Sequence, residues 1–384
     1  VKLLHTADWH VGRPLRGCGR ADEHRAVLAE IVRIAADEDV DLVIVAGDLF
    51  DSAAPAPESE QIVYTALMDL ARTGAEVVVV AGNHDNPHRL AAVRPLLDLT
   101  RVRTAAFPAR AAEGGTVELR TRRGAQVRLA LLPFLSQRAI IRADQLMDED
   151  ADRHALHYAE RAQRIVHALC ERFDARSVNV VVSHLTVAGG ATGGGEREAH
   201  TVFDYQVPAH VFPASAHYVA LGHLHRTQRI PGACPIWYPG SPLQLDFGEA
   251  SNDPAVLLVE AESDTPAEVR TMPIAGGRRL RTIRGALDRL EAVARAAGDA
   301  WLRVVVTEPW RAGLADDVRA LLPHAVDVVV AREDAAGGEA EWSSEHARRS
   351  PGQLFDEYLE EKGVEDPQLA ALFRTLLDDA EAAA

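Results

Sequence analysis

The chain has 384 residues, 47% of them hydrophobic, which is enough for two or three domains with sizeable cores. It carries 41 Lys and Arg against 57 Asp and Glu, a formal net charge of -16, so the field of the whole molecule repels polyanions and nucleic acid would need local help to bind. No apolar run reaches the ~18 residues of a membrane span, no charged and apolar leader precedes the first strand, and Cys18, Cys170 and Cys234 are scattered without C-x-x-C spacing. These features argue against a membrane span, a disulfide framework and a thiolate zinc site. They lead us to expect a soluble, cytoplasmic protein with native structure from its first residue and reduced, inert thiols.

The apolar run LLHTA predicts a first strand over 2–7, which runs into Asp8-Trp9-His10. Arg13, Arg16, Arg20 and Arg25 follow closely; they either meet a phosphate backbone entering a site or form a solvated loop. Arginine abundance itself carries no weight, because Lys2 and Lys362 are the only lysines in the chain. A helix over 21–38 leads to LVIVA, in a strand over 41–46 that ends in Gly47-Asp48-Leu49-Phe50-Asp51. A helix over 58–73 and a strand over 76–81 deliver Gly82-Asn83-His84-Asp85. After a helix-like piece over 88–98, residues 100–133 read as short strands with a turn at Gly114 and Gly115. A long amphipathic helix over 152–173 precedes a strand over 178–183 that ends at His184. The glycine-rich AGGATGGGE is either a linker or a loop touching substrate, and a strand over 216–221 then reaches Gly222-His223-Leu224-His225. Strands over 255–260 and 267–273 close this unit.

From about residue 276 the pattern restarts without candidate ligands: RRLRTI, a helix over 285–297, WLRVVVTE, a helix over 313–322 and VDVVVAR predict a small β-α-β-α-β unit. Residues 332–350 read as a polar linker. Beyond it, Leu354, Phe355, Tyr358 and Leu359 form one apolar stripe, and Leu369, Leu372, Phe373, Leu376 and Leu377 form another. The expected division is 1–275, 276–331, 332–350 and 351–384.

Carboxylates, amides and imidazoles on loops leaving strands are held where layered α/β folds bind ligands. Two divalent cations roughly 3.5–4 Å apart repel one another, so a carboxylate must bridge them, while neutral imidazoles and an amide keep the site from becoming over-anionic. Asp48 is the expected bridge. Each cassette alone is more often a solvated loop; all of them, in order and each after an apolar run, specify a two-metal phosphoesterase. His154, His157 and His167 fall in a helical pattern, while His88, His324 and His346 have no evident role.

The order D-x-H, G-D, G-N-H-D, a late His and G-H-x-H resembles that of the calcineurin-like metallophosphoesterases, which implies an α/β fold, a layered α/β/β/α sandwich. By that resemblance the first metal takes Asp8, His10, Asp48 and His225, and the second takes Asp48, Asn83, His184 and His223. The opening KLLHTADWHVGR, YPGSP at Tyr238–Pro242, the ligand-free capping unit and the helical tail extend the likeness over essentially the whole chain, which closely resembles the SbcD family of bacterial nuclease subunits. One departure is Asp51, where archaeal relatives tend to carry histidine. The resemblance implies two divalent ions, Mn²⁺ by preference, and action on DNA in repair, recombination and replication. The implied cleavage is exonucleolytic on duplexes and endonucleolytic on single strands and hairpins. It also implies an SbcC-like SMC-type ATPase partner and a homodimer within a heterotetramer. The donor set by itself admits Mn, Fe or Zn.

In the expected chemistry the cations lower the pKa of water so that hydroxide attacks phosphorus in line. His84 is the expected general acid for the leaving oxygen. Asp51 either orients His84 through its carboxylate or caps its loop. No G-x-x-x-x-G-K-[ST] loop occurs, so any ATP hydrolysis belongs to another chain. Two other classes stay open: a calcineurin-like phosphatase or cyclic-nucleotide phosphodiesterase, and a non-enzymatic scaffold with a degenerate site. The tail docks on the ATPase coiled coil, folds back on the capping unit or pairs with a second copy.

Overall fold

The computed structural model describes residues 1–136, 139–140, 158–194, 196, 206–309, 311–331 and the single tail positions 355, 359, 369, 372, 373 and 376. Two six-stranded sheets face one another. In the first, β1 (Lys2–Thr6), β2 (Leu42–Val45), β3 (Glu76–Val80) and β4 (Val102–Ala105) run parallel. The antiparallel pair β13 (Ala255–Glu262) and β14 (Thr265–Pro273) extends it, giving the order β14-β13-β1-β2-β3-β4. The second has the order β11-β12-β10-β7-β6-β5, from β5 (Thr116–Arg120), β6 (Gln126–Leu132), β7 (Val178–His184), β10 (Tyr218–Gly222), β11 (Gln228–Ile230) and β12 (Ile236–Tyr238).

Both faces of each sheet are covered, which is why the strands read as unbroken apolar runs and not as alternating patterns. On the first sheet Leu4, Val43, Val45, Val77 and Val79 pack under α1 (Ala21–Asp37), α2 (Pro57–Arg72) and α3 (Pro87–Leu97). The alternate residues Leu3, Leu42, Ile44, Val78 and Val80 meet Leu129, Leu131, Val180 and Val182 of the second sheet in the middle of the sandwich. The outer face of the second sheet is covered by α4 (Tyr158–Cys170) through Ile165, Val166 and Leu169. The layers are therefore α/β/β/α. Helix starts follow local chemistry: Pro57 and Pro87 open α2 and α3, where a missing N–H costs nothing, and the Asn86 side chain accepts from the N–H groups of His88 and Arg89.

A separate three-stranded parallel sheet, β15 (Leu280–Gly285), β16 (Trp301–Val306) and β17 (Ala325–Val330), carries α5 (Leu287–Arg295) and α6 (Leu314–Leu321) around its own core of Leu290, Val304, Val306 and Val318. It joins the sandwich where Trp301 Nε1 donates to Glu23 at 2.8 Å and Arg16 bridges to Asp327 at 3.0 Å. The short strands β11 and β12, and the two-residue pair β8 (Thr186–Val187) and β9 (Gln206–Val207), had no apolar run long enough to be read from sequence. The first part of the helix expected at 152–173, including His154 and His157, lies outside the described residues, as do Gly195, the linker at 332–350 with His346, and Leu354, Tyr358 and Leu377 of the tail. Of the two tail stripes, Phe355 stacks on Phe373 with ring centroids 3.9 Å apart, and Leu359 is buried. The three cysteines are free thiols, and burial pushes Cys170 up to about 12 and Cys234 up to about 11, so both stay protonated.

Candidate metal centre

The parallel strands of both sheets end at one edge of the sandwich, and seven candidate ligands converge there, all of them buried. Asp8 and His10 follow β1, Asp48 follows β2 and Asn83 follows β3. His184 is the last residue of β7, and His223 and His225 follow β10. The loops after β1 and β2 stay paired beyond the strands, with N–H groups of Asp8, His10 and Val11 bonded to the carbonyls of Gly47, Asp48 and Leu49, each at 3.0 Å. Asp8, His10, Asp48 and His223 adopt φ of 55°, 45°, 54° and 106°. Such backbone costs of order 1–3 kcal/mol per residue and persists only where surrounding structure enforces it. The close approach also dictates glycine at Gly222, where a Cβ would stand 1.9 Å from the Ala46 carbonyl oxygen.

The donor atoms face one another at short range. Asp48 Oδ2 lies 3.4 Å from His10 Nε2 and 3.5 Å from His184 Nε2, between the two halves of the cluster. His10 Nε2 and His225 Nε2 are 3.1 Å apart, and Asn83 Oδ1 lies 2.9 Å from both His184 Nε2 and His223 Nδ1. Two atoms each about 2.1 Å from one ion, at angles between octahedral and tetrahedral, are about 3.0–3.4 Å apart. The observed separations thus match the edges of metal coordination shells. Asp8, His10 and His225 form one compact set and Asp48, His184 and His223 another. A third set, His10, Asp48 and His84, puts His84 beside Asp48.

Hydrogen bonds outside the cluster aim the rings. His184 Nδ1 bonds to the Ala46 carbonyl at 2.8 Å, leaving Nε2 toward the centre, and Asp8 accepts from the His223 N–H at 3.0 Å. Phe134 covers the second set, stacked 6.3 Å from His223 and edge-on to His184. Burial opposes charging of His184, but the Asp48 carboxylate lifts it to about 9; burial likewise opposes His225, which a bond to Glu249 lifts to about 9. Burial, reinforced by the Asp48 charge, raises Asp8 to about 7, while the imidazoles hold Asp48 well below the usual carboxylate range despite its burial. The imidazoles and carboxylates of the cluster thus offset one another's charge, and a divalent ion binding there would displace any proton held on a ligating atom.

His84 donates its main-chain N–H to Asp48 Oδ1 at 2.8 Å, and its Nδ1 bonds to the main-chain carbonyl of Asp51 at 2.7 Å. The expected orientation of His84 by Asp51 thus runs through the backbone and not through the carboxylate. That carboxylate lies 3.4 Å from Arg13 and 3.8 Å from His10 Nδ1, because the loop directs the side chain across the first set. The arginines after the first cassette are engaged by acids: Arg13 by Asp51, Arg16 by Asp246 and Asp327, Arg20 by Glu23, and Arg25 by Asp22 and Glu58. Arg20 is buried, so neither a free phosphate contact nor a solvated loop describes it. His88 packs on Phe107 and His324 on Trp301, away from the centre.

Three residues escaped sequence reasoning. Asp85 accepts from the N–H groups of Gly82 and Phe50, at 2.9 and 3.2 Å, and ties two ligand loops together. Glu196 accepts from the N–H groups of Gly193, Gly194 and His225, fastening the glycine-rich loop to the last ligand. Glu249 bonds to His225 Nδ1 at 2.7 Å. Asp85 stood inside a recognised cassette; the two glutamates had no local signal.

Residues 1–227 match the family model described as calcineurin-like phosphoesterase, and residues 277–363 match one described as type 5 capsule protein repressor C-terminal domain. The chain belongs to the calcineurin-like phosphoesterases and is a metal-dependent phosphodiesterase. Within them it falls with the SbcD subunits. It is similar to the SbcD subunit of the SbcCD nuclease of Bacillus subtilis, at 35% identity over 73% of this chain and 71% of that one, and to its counterpart in Rhodobacter capsulatus, at 34% over 76% of each. The SbcD subunit of Escherichia coli K12 is 29% identical over 76% of this chain and 73% of that one. Among solved structures, a dimetal phosphatase from Danio rerio is similar with a TM-score of 0.42 and 13% identity, covering 71% of this chain and 99% of that one. The protein TT1561 of Thermus thermophilus gives 0.40 and 14%, covering 70% and 98%.

Proposed function

We propose that the chain is the nuclease subunit of an SbcCD-type complex, hydrolysing DNA phosphodiesters at duplex ends, single strands and hairpins with two Mn²⁺ ions. The observation that carries the reading is Asp48 Oδ2, set between His10 and His184 at 3.4 and 3.5 Å where one oxygen can serve two ions. Asp8, His10, Asp48 and His225 would hold the first ion and Asp48, Asn83, His184 and His223 the second. When bound, the ions supply the positive charge that activates water near neutral pH and steadies the phosphate oxygens. The chain's own residues do the rest. The His84 ring, with Nδ1 committed to the Asp51 carbonyl, carries its transferable proton on Nε2 for the leaving sugar oxygen. The Asp51 carboxylate, beside His10 and Arg13, holds the wall of the first site. Phe134 walls the second beside His184 and His223.

Several observations support the partners. The arginines after the first cassette pair with carboxylates, so an acidic subunit draws basic surface for DNA from elsewhere, and the ATPase is its source. In the tail, Leu372 and Leu376 are 53% and 57% exposed, one turn apart, a stripe suited to a partner helix at the base of the ATPase coiled coil. Leu96 and Leu99, 69% and 83% exposed at the end of α3, suit a second copy of the chain in a homodimer. Among the described residues no helix is long and apolar enough to cross a membrane, and we assign the complex to the cytoplasm. The test is incubation with end-labelled duplex and hairpin DNA plus Mn²⁺, with and without the co-purified ATPase. Cleavage that requires the metal and is stimulated by ATP in the complex is expected. Hydrolysis of small phosphate esters with long DNA left intact would instead identify a phosphatase or cyclic-nucleotide phosphodiesterase.

A further inference from the structure

After β12 the chain passes back beside the centre and makes a single 3₁₀ turn, Phe247–Glu249. Glu249 ends it with its side chain 1% exposed. A carboxylate so deeply buried costs several kcal/mol in lost hydration unless each oxygen is met. Here both are: Oε1 bonds to His225 Nδ1 at 2.7 Å, and Oε2 accepts from the Leu245 N–H at 2.8 Å. The turn is itself braced. Gln244 Nε2 donates to the carbonyls of Glu249, Ala250 and Asn252, while Gln244 Oε1 accepts from the Leu280 N–H at the start of β15. Phe247 packs with Leu15 and Leu280. The carboxylate therefore arrives on a rigid turn held by both the sandwich and the three-stranded unit.

Its effect falls on one ring. With Nδ1–H committed to Glu249, Nε2, the atom 3.1 Å from His10 Nε2, is the nitrogen whose lone pair is free for an ion once its own proton leaves. In the other half of the centre, His184 is aimed by a neutral partner, the Ala46 carbonyl. An anionic partner makes the opposite ring nitrogen a stronger donor than a neutral one does, so the two halves are not equivalent. We propose that Glu249 is a positioning residue of the first metal site, fixing the orientation and tautomer of His225 so that Nε2 is presented to the ion. The proposal rests on the two-metal reading above, and it assigns to the 3₁₀ turn a role in metal retention that extends to the three-stranded unit supporting it.

The experiment uses the full-length chain and Mn²⁺ alone, measured by equilibrium dialysis and calorimetric titration. In Glu249→Gln one of the two ions should bind about 10- to 100-fold more weakly while the other keeps its affinity, the usual size of such an effect. Glu249→Asp keeps the charge on a shorter arm and should fall between Gln and wild type. Unchanged affinities in either folded variant, or equal weakening of both ions, would overturn the proposal; if the Gln variant fails to fold, the Asp variant decides. A separate readout needs no metal: the far-downfield Nδ1–H proton resonance of His225 in the metal-free chain should be present in wild type and lost in Glu249→Gln. If wild type binds fewer than two Mn²⁺ ions the two-metal reading fails, whereas persistence of that resonance in the variant defeats the role of Glu249 itself.

Discussion

Gly47 sits at φ +92°, and a Cβ built there would stand 2.3 Å from His184 Nδ1 and 2.9 Å from the Gly82 Cα. Carbon contacts are comfortable near ~3.5 Å, so in Gly47→Ala the imidazole must retreat by about 1 Å. That movement abandons its 2.8 Å bond to the Ala46 carbonyl. An L-residue in the left-handed region costs roughly 1–2 kcal/mol and an unsatisfied buried polar pair roughly 1–3 kcal/mol, giving roughly 2–5 kcal/mol in all. Urea unfolding of the metal-free chain in chelator should show that loss. Mn²⁺ dialysis should show preferential loss of the ion assigned to Asp48, Asn83, His184 and His223. Gly17→Ala separates the two contributions, because Gly17 has φ +85° but no atom within 4 Å of its Cβ position. It should cost only the backbone share and leave metal binding intact. Equal costs for the two variants, or wild-type Mn²⁺ binding by Gly47→Ala, would refute the argument that close packing of strand ends shapes the centre.

Roles within the site separate by metal content: His84→Gln should retain both ions yet lose roughly 10²- to 10⁴-fold in phosphodiester hydrolysis, whereas Asp48→Asn should empty or weaken at least one site, and elemental analysis beside a rate assay checks both. His5 is buried between Tyr218 Oη and the Leu221 carbonyl, and burial holds it down at about 3 against an ordinary 6.5. Above pH 6.5 it is neutral folded or unfolded and adds nothing; as pH falls toward 3 only the unfolded chain takes the proton. Stability then drops by up to about 1.4 kcal/mol per pH unit. Urea midpoints of His5→Gln should fall less steeply with acid by that amount, and parallel curves would count against it. Deleting residues 351–384 should abolish co-purification with the ATPase and ATP-stimulated DNA cleavage while sparing Mn²⁺-dependent hydrolysis of a small chromogenic phosphodiester; undiminished ATPase binding would remove the tail from the docking role.

Much of the cluster's composition was legible because its residues are coupled to local signals. Asp8, Asp48, Asn83 and His223 each follow an apolar run closely, so finding the strand finds the candidate ligand, and the doubly covered sheets make those runs continuous. The small β-α-β-α-β pattern after residue 276 was legible for the same reason: its helices and parallel strands alternate at clear periods. Short elements were not, since β11 and β12 have three residues each and take their partners from elsewhere in the sheet.

Sequence by itself determined which donor atoms are available, their order, and that they leave strands of a layered α/β protein, because residue type and hydrophobic period are local properties. Tertiary structure alone decided how those atoms are aimed. The aim of the His184 ring depends on a carbonyl 138 residues away, the His84 ring bonds to the Asp51 main-chain carbonyl, and four candidate-ligand positions hold left-handed backbone that only neighbouring strands enforce. Glu249, 24 residues from His225, reaches it because a turn braced by Gln244 and Phe247 brings it there. Hydrogen bonds are short-ranged in space and indifferent to distance along the chain, so the partners that orient a ligand leave no mark beside it in the sequence.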